Sequence, residues 1–190
     1  MNASFLIMSL CIAFVPIAII FGVCVVLIYN RLVTIRQHVR ESWSGIDLEL
    51  KRRYDLIPNL VSTARGYASH EETVFREVTE ARTRALESTG PPDSQAGAER
   101  QLVARLTGLL ALAESYPDLK ADQQFLALQE ELVNTEDRLA AARRFYNGNV
   151  RTMNALCETF PSNFVARLGS FKHESFFEVE PSIRDETPQV

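Results

Sequence analysis

The stretch Leu32–Ile57 reads LVTIRQHVRESWSGIDLELKRRYDLI. Its apolar residues Leu32, Ile35, Val39, Trp43, Ile46, Leu50, Tyr54 and Ile57 are separated by steps of 3, 4, 4, 3, 4, 4 and 3. Steps of three and four stack side chains along one face of an α-helix. The order of the steps is an eleven-residue repeat, which favours a nearly straight or slightly right-handed packing seam. Asp47 with Lys51, and Glu49 with Arg53, stand four apart with the acid first, the favourable order for ion pairs on a solvated helix face.

Upstream, Phe5–Tyr29 is 25 residues without a charge, FLIMSLCIAFVPIAIIFGVCVVLIY. As a helix it exceeds a hydrocarbon core of about 30 Å. A cleaved signal peptide would need a basic start, a shorter apolar run and a small-x-small site; Val26-Leu27-Ile28 is not such a site. Residues 5–29 are therefore expected to be a transmembrane helix in contact with the lipid bilayer, after a short N-terminal segment, 1–4. No Lys or Arg precedes residue 30, whereas Arg31, Arg36 and Arg40 follow at once, so the N-terminus is expected outside and the C-terminal part in the cytoplasm. Pro16 is expected to kink the span. Ser9 with Ala13, and Ala18 with Gly22, are small residues four apart, a spacing that lets membrane helices approach. Little interrupts helix between Ile17 and Ile57, so the span is predicted to continue as a stalk that ends or kinks at Pro58.

Downstream, a second stripe is Leu60, Ala64, Tyr67, Val74, Val78, Ala81 and Ala85, interrupted by Glu71. The segment 88–97, STGPPDSQAG, is predicted to be a loop. A third helix is expected over about Ala98–Ser115, with Leu102, Leu106, Leu109 and Ala113 on one face. Tyr116-Pro117-Asp118 is its stop, and Asp118 is expected to cap the fourth helix. That fourth and longest stripe runs Phe125, Leu128, Leu132, Thr135, Leu139, Ala142, Tyr146, Asn149, Met153, Cys157, Phe160, a period of 3.5 like that of a coiled coil. Asn147-Gly148-Asn149 is a turn signal inside it, but the stripe keeps its phase, so a weakened helix is expected there and a break is the alternative. Beyond Phe160, the aromatics Phe164, Phe171, Phe176 and Phe177 fit no single helix face. They predict an extended tail that covers a groove of the bundle or docks a partner. Residues 179–190 are polar and expected to be disordered.

The chemistry-bearing residues do not converge on a catalytic pattern. His38, His70 and His173 are far apart, and no H-E-x-x-H, phosphate-binding glycine loop or nucleophile elbow occurs. Cys157 lies on an apolar stripe, where an inert thiol is the default. A net charge of −4 argues against a protein that coats nucleic acid. With Cys11 and Cys24 in the span, no disulfide framework is expected. Two mixed clusters stand out: Lys51-Arg52-Arg53-Tyr54-Asp55 with Asn59, and Arg143-Arg144 with Tyr146-Asn147. They read either as ordinary solvated surface or as an interaction surface anchored by arginine and tyrosine.

The strings from Tyr29 to Val61, GYASHE (Gly66–Glu71), LAESYPDLKADQQFLALQEEL (Leu112–Leu132), RRFYNGNV (Arg143–Val150) and FPSNFVARLGSFKHESFFE (Phe160–Glu178) resemble the LemA family, in the family's order. Gly148, where the family usually has an acidic residue, and Met153, where it often has tyrosine, depart from its pattern. The resemblance implies an antiparallel four-helix bundle behind a bacterial inner-membrane anchor, with no enzymatic activity established for the family and membrane proteases among its frequent neighbours.

The expected fold is thus all-α: a transmembrane helix, 5–29, continuing into a cytoplasmic helical-bundle domain, 30–178, with an extended aromatic C-terminal tail. The expected function is that of a non-catalytic adaptor that binds a protein partner, such as a membrane protease, without cofactor, metal or nucleic acid. A self-assembling homo-oligomer is the alternative, and an unrecognised hydrolase a weaker one.

Overall fold

The computed structural model describes residues 3–88, 90 and 92–178; of residues 3–13 and of Asp93 it describes the backbone only. The expected tail at 179–190 lies outside the described residues, as do residues 1 and 2. The described chain is helical, with no strand among its residues. It comprises α1 (Ala3–Tyr67), α2 (Glu72–Glu87), α3 (Pro92–Leu112), a 3-10 turn (Ala113–Ser115), α4 (Pro117–Lys120), α5 (Gln123–Glu158) and α6 (Ser162–Leu168). Two compact units form: residues 1–40 with 149–174, and residues 41–148 with 175–190.

α1 is one helix of 65 residues. Its N-terminal part is long and apolar enough to cross a membrane by length and composition. The side chains there face outward, Phe14, Ile20 and Phe21 among them. The predicted seam that follows is buried at Leu32, Val39, Ile46, Leu50, Tyr54 and Ile57. Ile35 and Trp43 are half-buried.

Of the two outcomes expected at Pro58, an end or a kink, the end does not occur: α1 continues through it. A proline at position 58 removes the amide that would bond the carbonyl of Tyr54, four residues back. In the structure the Arg82 Nε–H of α2 donates to that carbonyl at 2.7 Å. A donor from a neighbouring helix thus fills the gap. α1 runs nine residues further, to Tyr67, and buries Leu60, Val61 and Ala64. The chain turns at Ala68–Glu71 instead, so the second predicted stripe is divided between two helices. On α2 the buried residues are Phe75, Val78, Ala81 and Ala85; Val74 is only half-buried and Tyr67 is exposed.

α3 starts at Pro92, inside the segment predicted as a loop. Proline suits the first helical turn, where its missing N–H has no partner to lose, and the early start brings Ala96 into the core beside Glu99. Leu102, Leu106, Leu109 and Ala113 are all buried, as the spacing predicts. α5 begins after Asp122, whose Oδ1 accepts the Phe125 amide at 2.7 Å. This is the N-cap geometry that satisfies an otherwise orphaned donor. The cap is therefore Asp122 and not Asp118, which lies in α4. α5 passes through Gly148 without a break. Its buried stripe moves from Leu132, Thr135 and Leu139 to Tyr146, Val150 and Met153, while Phe160 is exposed.

In the unit made of residues 41–148 and 175–190, pairs of contacts order the helices. Tyr67 donates to Asp122 at 2.8 Å and Arg53 to Glu136 at 2.7 Å, so α1 and α5 are antiparallel. Arg65 pairs with Glu72 at 3.0 Å at the near end of α2, and Arg82 reaches Tyr54 at the far end. Tyr116 donates to Glu71 at 3.1 Å and Arg105 pairs with Glu77 at 2.9 Å, which makes the segment from α3 to Tyr116 antiparallel to α2. Trp43 stands edge-on to Tyr146 and Phe177, each at 5.3 Å between ring centroids.

In the unit made of residues 1–40 and 149–174, the Asn149 amide donates to the His38 carbonyl at 3.3 Å. α6 is closed by Phe171 N–H to Ala166 O at 2.9 Å and Ser170 N–H to Arg167 O at 3.2 Å, with Ser170 at φ 53°. This is a Schellman ending with serine where glycine is usual. Phe171 turns back to meet Tyr29 at 5.7 Å and lies under the Arg36 guanidinium at 4.8 Å.

Candidate functional site

α1 turns both Arg53 and Tyr54 inward, because each lies three or four residues from the core positions Leu50 and Ile57. Arg53 is only 1% exposed, and a charge so buried must be paired and hydrogen-bonded to persist. Two helices supply its partners. Its guanidinium forms an ion pair with Glu99 of α3, and Nη1 donates to Glu136 of α5 at 2.7 Å. Glu99 is itself buried and also accepts the hydroxyl of Tyr54. Burial, more than any neighbouring charge, raises the Tyr54 hydroxyl above the ordinary tyrosine pKa, so it stays a donor at neutral pH. With Arg82 on the Tyr54 carbonyl, residues 53 and 54 tie α1 to α2, α3 and α5.

At the rim of this network, burial lowers the Arg143 guanidinium below the usual arginine pKa, partly offset by attraction to Glu136. The arrangement can fix the register of four helices. The carboxylates of Glu99 and Glu136 both face Arg53, whose side chain is buried between them. Among the described residues no cluster of His, Cys, Asp or Glu is arranged to hold a metal ion.

The ten residues predicted as an interaction surface are thereby divided. Lys51, Arg52, Asp55, Asn59 and Arg144 are exposed; Arg143 is half-buried. Arg53, Tyr54 and Tyr146 are buried, and their side chains contribute no surface. The Tyr146 hydroxyl donates to the Ser175 carbonyl at 2.9 Å. Asn147 is spent on the chain itself: its Nδ2 donates to Phe177 O at 3.1 Å and its Oδ1 accepts Phe177 N–H at 3.0 Å. Asn154, in the other unit, holds Glu174 in the same two-sided way at 3.0 and 2.9 Å. Nor does Glu49 pair with Arg53 as the spacing suggests; its carboxylate lies 3.6 Å from Arg52 and 3.5 Å from Arg138.

Cys157 lines an open cavity of about 380 Å³ with Glu158, Arg167 and His173. Burial raises its thiol above the ordinary value, which keeps it protonated and a poor nucleophile. The residues that sequence reasoning missed are Glu99, Glu136 and Arg82. Two of them left a trace: Glu136 as the neighbour of Thr135 on the predicted seam, and Glu99 three residues before Leu102 on the predicted third helix.

The sequence model of the LemA family matches residues 42–190, which covers both helices that clamp Arg53 and the tail held by Asn147. The chain belongs to the LemA family. Among curated LemA-like sequences, this family member is 26% identical over 179 residues to magnetosome protein MamQ 2 of Paramagnetospirillum magneticum (strain AMB-1), covering 81% of this chain and 66% of the relative. It is 25% identical over 179 residues to magnetosome protein MamQ of Magnetospirillum gryphiswaldense, with the same coverage of 81% and 66%. Protein LemA of Metamycoplasma hominis is 26% identical over 138 residues, 73% of this chain and 63% of that protein. This LemA-family chain thus spans about two thirds of the length of the curated relatives it matches.

Proposed function

We propose that this protein is a non-catalytic, membrane-anchored scaffold. Residues 5–29 cross the inner membrane of a bacterium, and the helices beyond form an antiparallel four-helix bundle in the cytoplasm that binds a protein partner. A membrane protease or its substrate is the partner class favoured here. One observation carries the reading: the same helix that exposes Ile17, Ile20, Phe21 and Leu27 also carries Arg53, whose charge is used up inside the fold. Arg53, at the centre of the first charged cluster, is thus committed to holding helices together. What is left for recognition is the exposed remainder, Lys51, Arg52, Asp55, Asn59 and Arg144.

In-cell crosslinking of the full chain tests the reading. Replacing Lys51 and Arg52 with Glu and Asp55 with Lys is expected to deplete the crosslinked partner while leaving the chain in the membrane fraction; an unchanged set of partners overturns this surface. A second reading, self-assembly, is favoured by Ala18 and Gly22, which are exposed and four apart, with open space around Gly22. Light scattering in detergent separates the two, since a strict monomer excludes self-assembly.

A further inference from the structure

In the unit that contains the apolar span, α5 descends along α1. Asn149 of α5 meets His38 of α1. Nine residues on, α5 ends at Glu158, and nine residues back along α1 lies Tyr29. At about 1.5 Å per residue both intervals are about 13 Å, so α5 stops at the level where the uncharged run ends. Two contacts hold the chain beyond α5 at that same level. Phe171 packs on the Tyr29 ring, and Gly169 sits so close that a Cβ there would lie 3.2 Å from it.

The segment so placed is inverted for a helix in water. α6 buries Ser162, Val165 and Ala166, while Phe164 and Leu168 point outward, 66% and 84% exposed. Phe160, four residues before Phe164 and 77% exposed, stands edge-on to it at 6.5 Å. Large apolar side chains grouped on one exposed face mark a contact surface. The charge around them is mainly positive: residues 1–40 and 149–174 hold six Lys and Arg against two acids, Glu158 and Glu174, in a chain of net charge −4. Arg31, Arg40, Arg151, Arg167 and Lys172 are exposed.

We infer that Phe160 and α6 are a second membrane contact, an interfacial wedge. Phe160, Phe164 and Leu168 enter the boundary between headgroups and acyl chains of the leaflet from which α1 emerges, and the basic side chains meet anionic headgroups. Short amphipathic segments with aromatic and leucine side chains on one face and basic residues beside them bind bilayers in this manner. The excess of positive charge disfavours a second copy of the same patch as the occupant, since like charges would be brought together. The inference rests on the reading of residues 5–29 as a span.

The test uses the full chain with Cys11, Cys24 and Cys157 replaced by Ser, in vesicles of phosphatidylethanolamine and phosphatidylglycerol. A nitroxide is attached at Leu168→Cys, and in separate preparations at Ile20→Cys and at Leu86→Cys on α2. Relaxation by oxygen, which concentrates in the bilayer, is compared with relaxation by a neutral water-soluble nickel chelate. The expected ratio of oxygen to nickel effect at 168 is several-fold above that at 86 and approaches that at 20. If 168 matches 86 while 20 lies in the bilayer, the wedge is overturned and the span stands. If 20 and 168 both match 86, the span itself fails and the wedge with it. Shielding of 168 from both relaxants shows protein covering the patch and overturns the lipid as its occupant.

Discussion

Replacing Arg82 by Met removes the donor that reaches the Tyr54 carbonyl at 2.7 Å while keeping much of the apolar stem against α1. A hydrogen bond from a charged donor is worth about 1.5–3 kcal/mol, and a carbonyl left unsatisfied in a partly buried site costs about 1–3 kcal/mol. Because this bond is partly buried, the lower end applies, and Arg82→Met is expected to cost about 1.5 kcal/mol. In a Pro58→Ala background the new amide at 58 bonds the same carbonyl within α1, so Arg82→Met should cost only about 0.5 kcal/mol, the scale of an ordinary surface change. The coupling between the two positions is therefore about 1 kcal/mol. Urea titrations of the four chains in detergent measure it, followed by fluorescence of Trp43, the single tryptophan, which packs on Tyr146 and Phe177. Penalties that add to within about 0.3 kcal/mol would refute the account, because the guanidinium would then not be replacing the missing amide.

The same titration should show Arg53→Met losing about 3–5 kcal/mol, since it leaves the buried carboxylates of Glu99 and Glu136 facing each other without a cation. Asp122 is held below the ordinary carboxylate pKa of 3.8, first by the Phe125 amide and then by the Tyr67 hydroxyl. Its contribution is present above the unfolded value and lost as the pH falls through the lower folded value. The penalty of Asp122→Ala should therefore be full at neutral pH and shrink on acidification below about 3.8, as urea midpoints across a pH series would show. Ser170 occupies the left-handed region at φ 53°, so Ser170→Gly should stabilise α6 by about 1 kcal/mol, read as slower amide exchange at Gly169 and Phe171.

The helices are legible wherever a long stripe of apolar residues meets one partner face. Leu32 to Ile57, Leu102 to Ala113 and Leu132 to Met153 are buried much as their spacing requires. The two helix bounds misplaced at Pro58 and Pro92 have one cause. The local backbone preferences of Pro58 and Pro92 favour ending a helix or staying outside one. At Pro92 the first-turn position removes the penalty. At Pro58 the missing bond is supplied by a residue 24 positions later in the chain, which no local window contains.

The candidate site is harder to read for a related reason. Arg53 and Tyr54 stand out as a charged and aromatic cluster, and composition places such clusters at the surface. Helix phase alone permits either side, because residues 53 and 54 straddle the line from Leu50 to Ile57. What decides is whether acids lie within reach on other helices, and Glu99 and Glu136 are 46 and 83 residues away. A buried arginine is stable only as part of such a set. Its inward turn is therefore a property of three helices together, and the useful signal in a single sequence is the coincidence of an arginine at a core-compatible phase with isolated acids at core-compatible phases elsewhere. Glu136 meets that test beside Thr135. Glu99 does so three residues before Leu102, inside the helix expected from about Ala98.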